Sequence, residues 1–233
     1  MNSVNYKIFV LELGLKFEIE QNDKQINDIF RKLVSIEDFD GVKKFTKSER
    51  GSFAKLTTSN DTLRLYVTKT DISLSLRNAK LTKDVSTKYS KMSQIMLEIL
   101  RSVPEVEFDA ARASQIAYST SLSDAEYLKN ELVNSKYQSN LDEFDIWLED
   151  TGEYVDGVET ILSTSASNQH SESMHETFEA LRKSSLLENI SVVSTALGLL
   201  EEVNKSTIQS FIKYAMSDKL LQTSLSKFGY GKK

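Results

Sequence analysis

Residues 11–20 read LELGLKFEIE, with Leu11, Leu13, Leu15, Phe17 and Ile19 alternating with Glu12, Gly14, Lys16, Glu18 and Glu20. A period of two is the side-chain period of a β-strand, so this stretch predicts a strand with one buried face and one wet face. The period then changes. Asn22 and Asp23 are helix-start residues, and Ile26, Ile29, Phe30, Leu33 and Val34 fall on one helical face as far as Ser35. Gly41 closes this first unit of strand and helix.

Working outward, extended stretches are expected at residues 42–57, 62–69 and 71–77. Asn60-Asp61 and Thr70-Asp71 serve as the turns of an antiparallel meander. Val85, Tyr89, Met92, Met96, Ile99 and Val103 recur in steps of four and three, which predicts a long amphipathic helix over 82–103 stopped by Pro104. The first unit therefore reads β-α-β-β-β-α. A strand near 114–120 follows, then a capping box at Ser123-Asp124-Ala125-Glu126 that opens a helix, then extended segments at 142–149 and 153–164. Ser163 to Ser173 is polar enough for a loop or linker.

Beyond it the chain reads as helical. A second capping box stands at Ser173-Met174-His175-Glu176, an apolar helix is expected over Ile190 to Val203, and Ser206 to Gln209 caps a last helix through Ser226. The buried face of that last helix is Ile208, Phe211, Ile212, Ala215 and Met216, and these helices need a third surface, on the body of the chain or on a second chain. The expected class is α+β, with antiparallel sheet units and a helical C-terminal segment. The order strand, helix, extended segments, helix occurs at 11–103 and again at 114–188, the order a duplicated unit gives, although residue identity does not show one. The boundaries set a unit with a basic sheet face at 1–109, a second α+β unit with an acidic segment at 110–165, and a helical segment at 166–233.

The chain has 233 residues, 39% of them hydrophobic and 27% charged, with one Pro and eight Gly, so it is expected to fold with a real core. The absence of Cys excludes disulfides, thiolate catalysis, zinc fingers and iron–sulfur clusters. No apolar run is long enough for a membrane span. The run from Ile8 to Leu15 is broken by Glu12 and makes a poor signal peptide, so the cytoplasm is the expected compartment. Lys outnumbers Arg by 22 to 7, which suits an AT-rich genome of bacterial, phage or mobile-element origin.

Charge is distributed unevenly. Positions 43–101 hold 13 basic and 5 acidic residues, whereas positions 142–159, DEFDIWLEDTGEYVDGVE, hold eight acidic residues and no basic one. Such blocks report partners rather than fold. In the acidic segment Asp142, Asp145, Trp147, Glu149, Asp150 and Tyr154 form a candidate docking surface, where charge steers a basic partner and the aromatics anchor it. The plainer alternative is a strand with Phe144, Ile146 and Leu148 buried and Asp145 and Trp147 outside. In the basic segment, burial of Leu63, Leu65 and Val67 and of Ile72, Leu74 and Leu76 leaves Arg64, Tyr66 and Arg77 on the opposite face. Lys43, Lys44, Lys47, Arg50 and Lys55 extend that surface. It reads as a nucleic-acid interface or as an ordinary polar face, one that meets an acidic segment in its own or another copy.

Motifs for chemistry are weak. His170 and His175 are five apart, with Glu172 and Glu176 nearby, and read as a linker and a first-turn residue rather than metal ligands. No Gly-x-Ser-x-Gly turn or Gly-x-Gly-x-x-Gly fingerprint occurs, and Gly152 and Gly157 are followed by Val158 and Glu159 where a phosphate loop needs Lys and Ser or Thr. Convergence of Asp142, Asp145, Glu149 and Asp150 on magnesium is a third option, which would make the chain a metal-dependent enzyme. The sequence thus predicts a binding, regulatory or assembly protein acting through charged surfaces and self-association, without catalysis or cofactor. Nucleic-acid binding through the basic face is the alternative.

Overall fold

Strand β1 (Lys7–Phe17) lies in the middle of one antiparallel sheet and carries the alternation from Leu11 to Phe17; it ends before Ile19, which is exposed rather than on the buried face. The structure is a computed structural model that describes residues 7–48, 51–77, 85–120, 126, 144–168, 192–201 and 203–227. Helix α1 (Asp23–Leu33) follows β1 and starts at Asn22, whose side chain accepts from the N–H groups of Lys24 and Gln25 while Gln25 returns a bond to the Asn22 N–H. Then come β2 (Lys43–Thr46), β3 (Phe53–Thr57), β4 (Leu63–Val67), β5 (Asp71–Arg77) and helix α2 (Val85–Ser102). The second half supplies β6 (Phe108–Ser119), β7 (Asp145–Val155), β8 (Val158–Asn168), β9 (Val192–Glu201), α3 (Lys205–Ala215) and α4 (Asp218–Lys227).

Among the described residues the nine strands are ordered β2-β3-β4-β5-β1-β6-β9-β8-β7, each antiparallel to its neighbours. The chain is a mixed α+β protein in which the sheet dominates. Leu11, Leu13 and Leu15 of β1, Leu65 of β4 and Leu74 of β5 bury themselves with Ile26 and Leu33 of α1 and Met92, Met96 and Ile99 of α2. Phe211 and Ile212 of α3 and Leu220 of α4 complete the same core. The body of the chain thus provides the third surface that the C-terminal helices need. A buried polar plug fixes them: Gln115 of β6 donates to the carbonyls of Ala215 (2.6 Å) and Ser217 (3.0 Å) and accepts from the Tyr89 hydroxyl of α2. Burial pushes the Tyr89 phenol well above its ordinary range.

The stretch 42–57 is two strands, not one, because the chain turns between Thr46 and Phe53, so four strands rather than three separate α1 from α2. The segment expected as a helix over Ile190 to Val203 is strand β9. Its apolar positions satisfy both periods, and the β-branched run Val192, Val193 and Thr195 sits between β6 and β8, where neighbouring strands satisfy the backbone on both sides. The linker expected from Ser163 begins inside β8, where Ser163, Thr164 and Ser167 are buried. The last helix is capped by Asn204 rather than Ser206 and divides at Met216 and Ser217 into α3 and α4. Its expected apolar face, Ile208, Phe211, Ile212, Ala215 and Met216, is buried as read. The expected capping boxes at 123–126 and 173–176, both histidines, Arg50 and Asp142 lie outside the described residues, Glu126 apart. Among the described residues no helix is long and apolar enough to cross a membrane.

Candidate functional site

The described helices pack on one face of the sheet; the other face, exposed at Lys44, Arg112 and Trp147 and buried at Val10, Tyr118, Val193 and Ser167, is the candidate site. Strand register defines what that face presents. Residues paired across neighbouring strands share a face, so one row runs from Lys44 through Lys55, Tyr66, Ser73, Gly14, Arg112, Leu199 and Ile161 to Thr151. A second row runs from Arg64 through Ser75, Glu12, Ser114, Leu197 and Ser163 to Glu149. A third passes from Arg77 through Val10, Ile116, Thr195 and Ser165 to Trp147. The face is therefore basic at one end, rich in serine in the middle and acidic at the other.

At the basic end Lys44 and Lys55 stand opposite each other, and the Lys55 ammonium lies 5.7 Å from the centre of the Tyr66 ring. Arg64 pairs with Asp61, and Arg77 pairs with Glu12 at 3.2 Å. Lys43 departs from the expected surface: its register turns it toward the helix side, where its Nζ donates to the Val34 carbonyl at the end of α1. Lys47 pairs with Asp23 at 3.5 Å. The structure brings Lys44, Lys55, Tyr66, Arg64 and Arg77 onto one face and leaves Lys43 and Lys47 off it.

In the middle, Glu12, Gly14, Ser73, Ser75, Arg112 and Ser114 line an open depression of about 410 Å³. Arg112 crosses Gly14 to reach Asp71 at 2.9 Å. Sequence reasoning missed Arg112 because nothing local marks it; only the pairing of β6 with β1 places it beside the basic strands.

At the acidic end, β7 is an edge strand bonded to β8 alone among the described residues. Asp145, Trp147 and Glu149 share the open face, where Ser167 donates to Asp145 and Ser163 to Glu149. A register shift between Thr151 and Tyr154 changes the alternation, so that Tyr154, opposite Glu159, returns to the same face as Trp147. Trp147 is 64% exposed and Tyr154 68%, among the largest apolar exposures of the described residues. In the plainer alternative Phe144, Ile146 and Leu148 share the face opposite Asp145 and Trp147, as the register has it, but only Phe144 is buried, Ile146 being half-buried and Leu148 exposed. Asp150 falls on the opposite face from Asp145 and Glu149, so these three carboxylates do not converge. Among the described residues no group of three or more His, Asp or Glu side chains is placed to hold a metal ion.

The hairpin that presents this edge is fixed locally. Asp156 and Gly157 have φ of 50° and 82°, the left-handed pair of a two-residue turn, and the Asp-Gly dipeptide adopts it readily. Gly157 thus makes a hairpin rather than a phosphate loop. No protein-family model matches the chain, and no curated protein matches it in sequence.

Proposed function

We propose that the protein is a binding and assembly protein that works through the two unlike ends of its open sheet, associating with other copies of itself. The observation that supports this is the placement of Lys44 and Lys55 at one end of a continuous sheet face and of Asp145 and Glu149 at the other. A molecule with opposite charge at its two ends attracts its own copies head to tail and repels them head to head. The exposed Trp147 and Tyr154 add the apolar area that charge alone lacks. No cofactor enters this reading. Trp147 is the only Trp, so its fluorescence reports the acidic end directly. In dilute protein its emission is expected to be red-shifted and quenched by acrylamide, then to turn blue and become protected as concentration rises at low salt. Emission that stays red and quenchable at every concentration would count against assembly through this end.

A second reading rests on the row Lys44, Lys55, Tyr66: a cation pair beside an aromatic on an open sheet is the arrangement on which a single strand of nucleic acid lays phosphates and a base. It ranks lower because Arg64, Arg77 and Arg112 each already face a carboxylate. Its test is affinity against salt, with a log-log slope of about −0.7 for each phosphate contact on single strands. Replacing Lys44 and Lys55 flattens that slope, whereas replacing Tyr66 lowers affinity and leaves it unchanged.

A further inference from the structure

Both outer strands of the sheet carry backbone groups without a strand partner among the described residues, and the ladder shows which ones. Asn168 N–H donates to the Phe144 carbonyl, so hydrogen-bonded pairs with β8 fall at even positions of β7, and the N–H and C=O of Trp147 and Glu149 point away from the sheet. At the other edge Thr57 N–H donates to the Val42 carbonyl, so the outward groups of β2 belong to Lys43 and Phe45. Such edges template the addition of another strand unless something blocks them.

The two edges differ in what they admit. β7 is 11 residues long with no Lys, Arg or Pro, and like charges face each other if two β7 strands pair. β2 carries Lys43 and Lys44, which likewise disfavour β2 against β2. Each edge rejects its own kind and accepts the other. Each also exposes an apolar side chain beside its charges, Val42 at 51% on the basic edge and Trp147 at 64% on the acidic edge.

Topology sets the polarity of the junction. With nine strands that alternate throughout, β2 and β7 run in the same direction, so a second copy that continues the sheet with its helices on the same side meets β7 in parallel. We propose, resting on the assembly reading above, that copies of this chain join head to tail by adding β2 of one copy to β7 of the next as a parallel strand pair that continues the sheet. In the register that satisfies both sets of outward groups, the Lys43 N–H donates to the Trp147 carbonyl and the Glu149 N–H donates to the Lys43 carbonyl. On the open face Val42 then lies beside Trp147, and Lys44 beside Glu149. Both side-chain faces and both sets of backbone groups agree in this register. Because the contact is heterologous, it builds rings or filaments rather than a two-fold dimer.

The test uses a zero-length carbodiimide crosslinker on the full-length wild-type protein, read by mass spectrometry. Within one chain Lys44 and Glu149 are separated by eight strand spacings of about 4.8 Å, roughly 38 Å along the sheet, so a Lys44 to Glu149 link can form only between copies. The expected result is that link at low salt, its loss at high salt, and its loss in Glu149→Gln. Lys44→Glu and Glu149→Lys alone are expected to weaken association about tenfold or more, and the two together to restore it, because both partners of the same junction are reversed. Circular dichroism and melting confirm that each variant folds. Association that persists without links between the β2 and β7 peptides, or with no rescue in the double variant, overturns the edge junction and leaves the assembly reading standing. A protein that remains monomeric at low salt overturns both.

Discussion

Arg112 lies across Gly14: a Cβ on Gly14 would stand 2.5 Å from Arg112 Nε and 2.8 Å from its Cγ. A side chain at position 14 and the present path of Arg112 toward Asp71 exclude each other. Glycine in a strand interior otherwise loses roughly 0.5–1 kcal/mol relative to alanine through its freedom in the unfolded chain. Gly14→Ala is therefore expected to destabilise the wild type, or leave it unchanged, by displacing Arg112. The same change is expected to stabilise Arg112→Ala by about 0.5–1 kcal/mol. A double-mutant cycle from denaturant unfolding measures this coupling, and additive effects would contradict the packing of the two residues.

Gln115 ties three elements together inside the core, and its loss leaves the carbonyls of Ala215 and Ser217 and the hydroxyl of Tyr89 short of a partner. Gln115→Leu is expected to cost about 2–3 kcal/mol, with protection from amide exchange lost first at the junction of α3 and α4. Uniform loss of protection would show that the junction does not depend on this side chain.

Along with the buried Tyr118, Tyr89 is one source of the alkaline limb. Its phenol is raised by burial first and by the nearby Asp218 carboxylate second, so above about pH 10 the unfolded chain releases a proton that the folded chain keeps. Stability is fully present below the unfolded value and falls as pH rises through the interval to the folded value. Tyr89→Phe is expected to lower stability at neutral pH while making the alkaline decline shallower. An unaltered slope in a pH series of melting curves would contradict this.

Hydrogen-bonded carboxylates, Asp40 and Glu105 together with Asp23, supply the acid limb. The Ser59 N–H and hydroxyl donate to Asp40, holding its carboxyl below the ordinary range, and the side chain of Lys32 does the same for Glu105. Stability from these groups is present above the unfolded carboxylate value, about 4, and is lost as pH falls through the lower folded values. Asp40→Asn and Glu105→Gln are each expected to lower stability at neutral pH, to flatten its dependence on acid pH, and to converge with wild type at the lowest pH. A wild-type slope in both variants would exclude them as the groups responsible.

Phe211 is fully buried against the sheet, so Phe211→Asp is expected to cost several kcal/mol and to unfold or aggregate the chain. A folded variant of lower mass would instead place Phe211 between chains.

The alternation at Leu11 to Phe17 and the helical face from Ile26 to Val34 were legible because each buries one side only, so its period appears cleanly in the sequence. β9 was not legible. Val193 and Ala196, on opposite faces of it, are both buried, which removes the contrast on which period reading depends. At the candidate site the residue types were legible and the faces partly so. Arg64, Tyr66 and Arg77 follow from alternation within their own strands, whereas the union of Lys44 and Arg112 on one face needed the register between strands distant in sequence. The return of Tyr154 to the side of Trp147 depends on an irregularity that no period contains.

Attraction between the two ends of the sheet in different copies is read most directly by multi-angle light scattering on a sizing column. At about 50 mM salt, where charge is weakly screened, the mass is expected to rise with concentration above the 26.4 kDa of one chain, and to return to that value at about 0.5 M salt. Glu149→Lys is expected to hold the mass near 26.4 kDa at both salts. A mass of one chain at every concentration and salt, or a larger mass that salt does not lower, would show that the two ends do not attract each other.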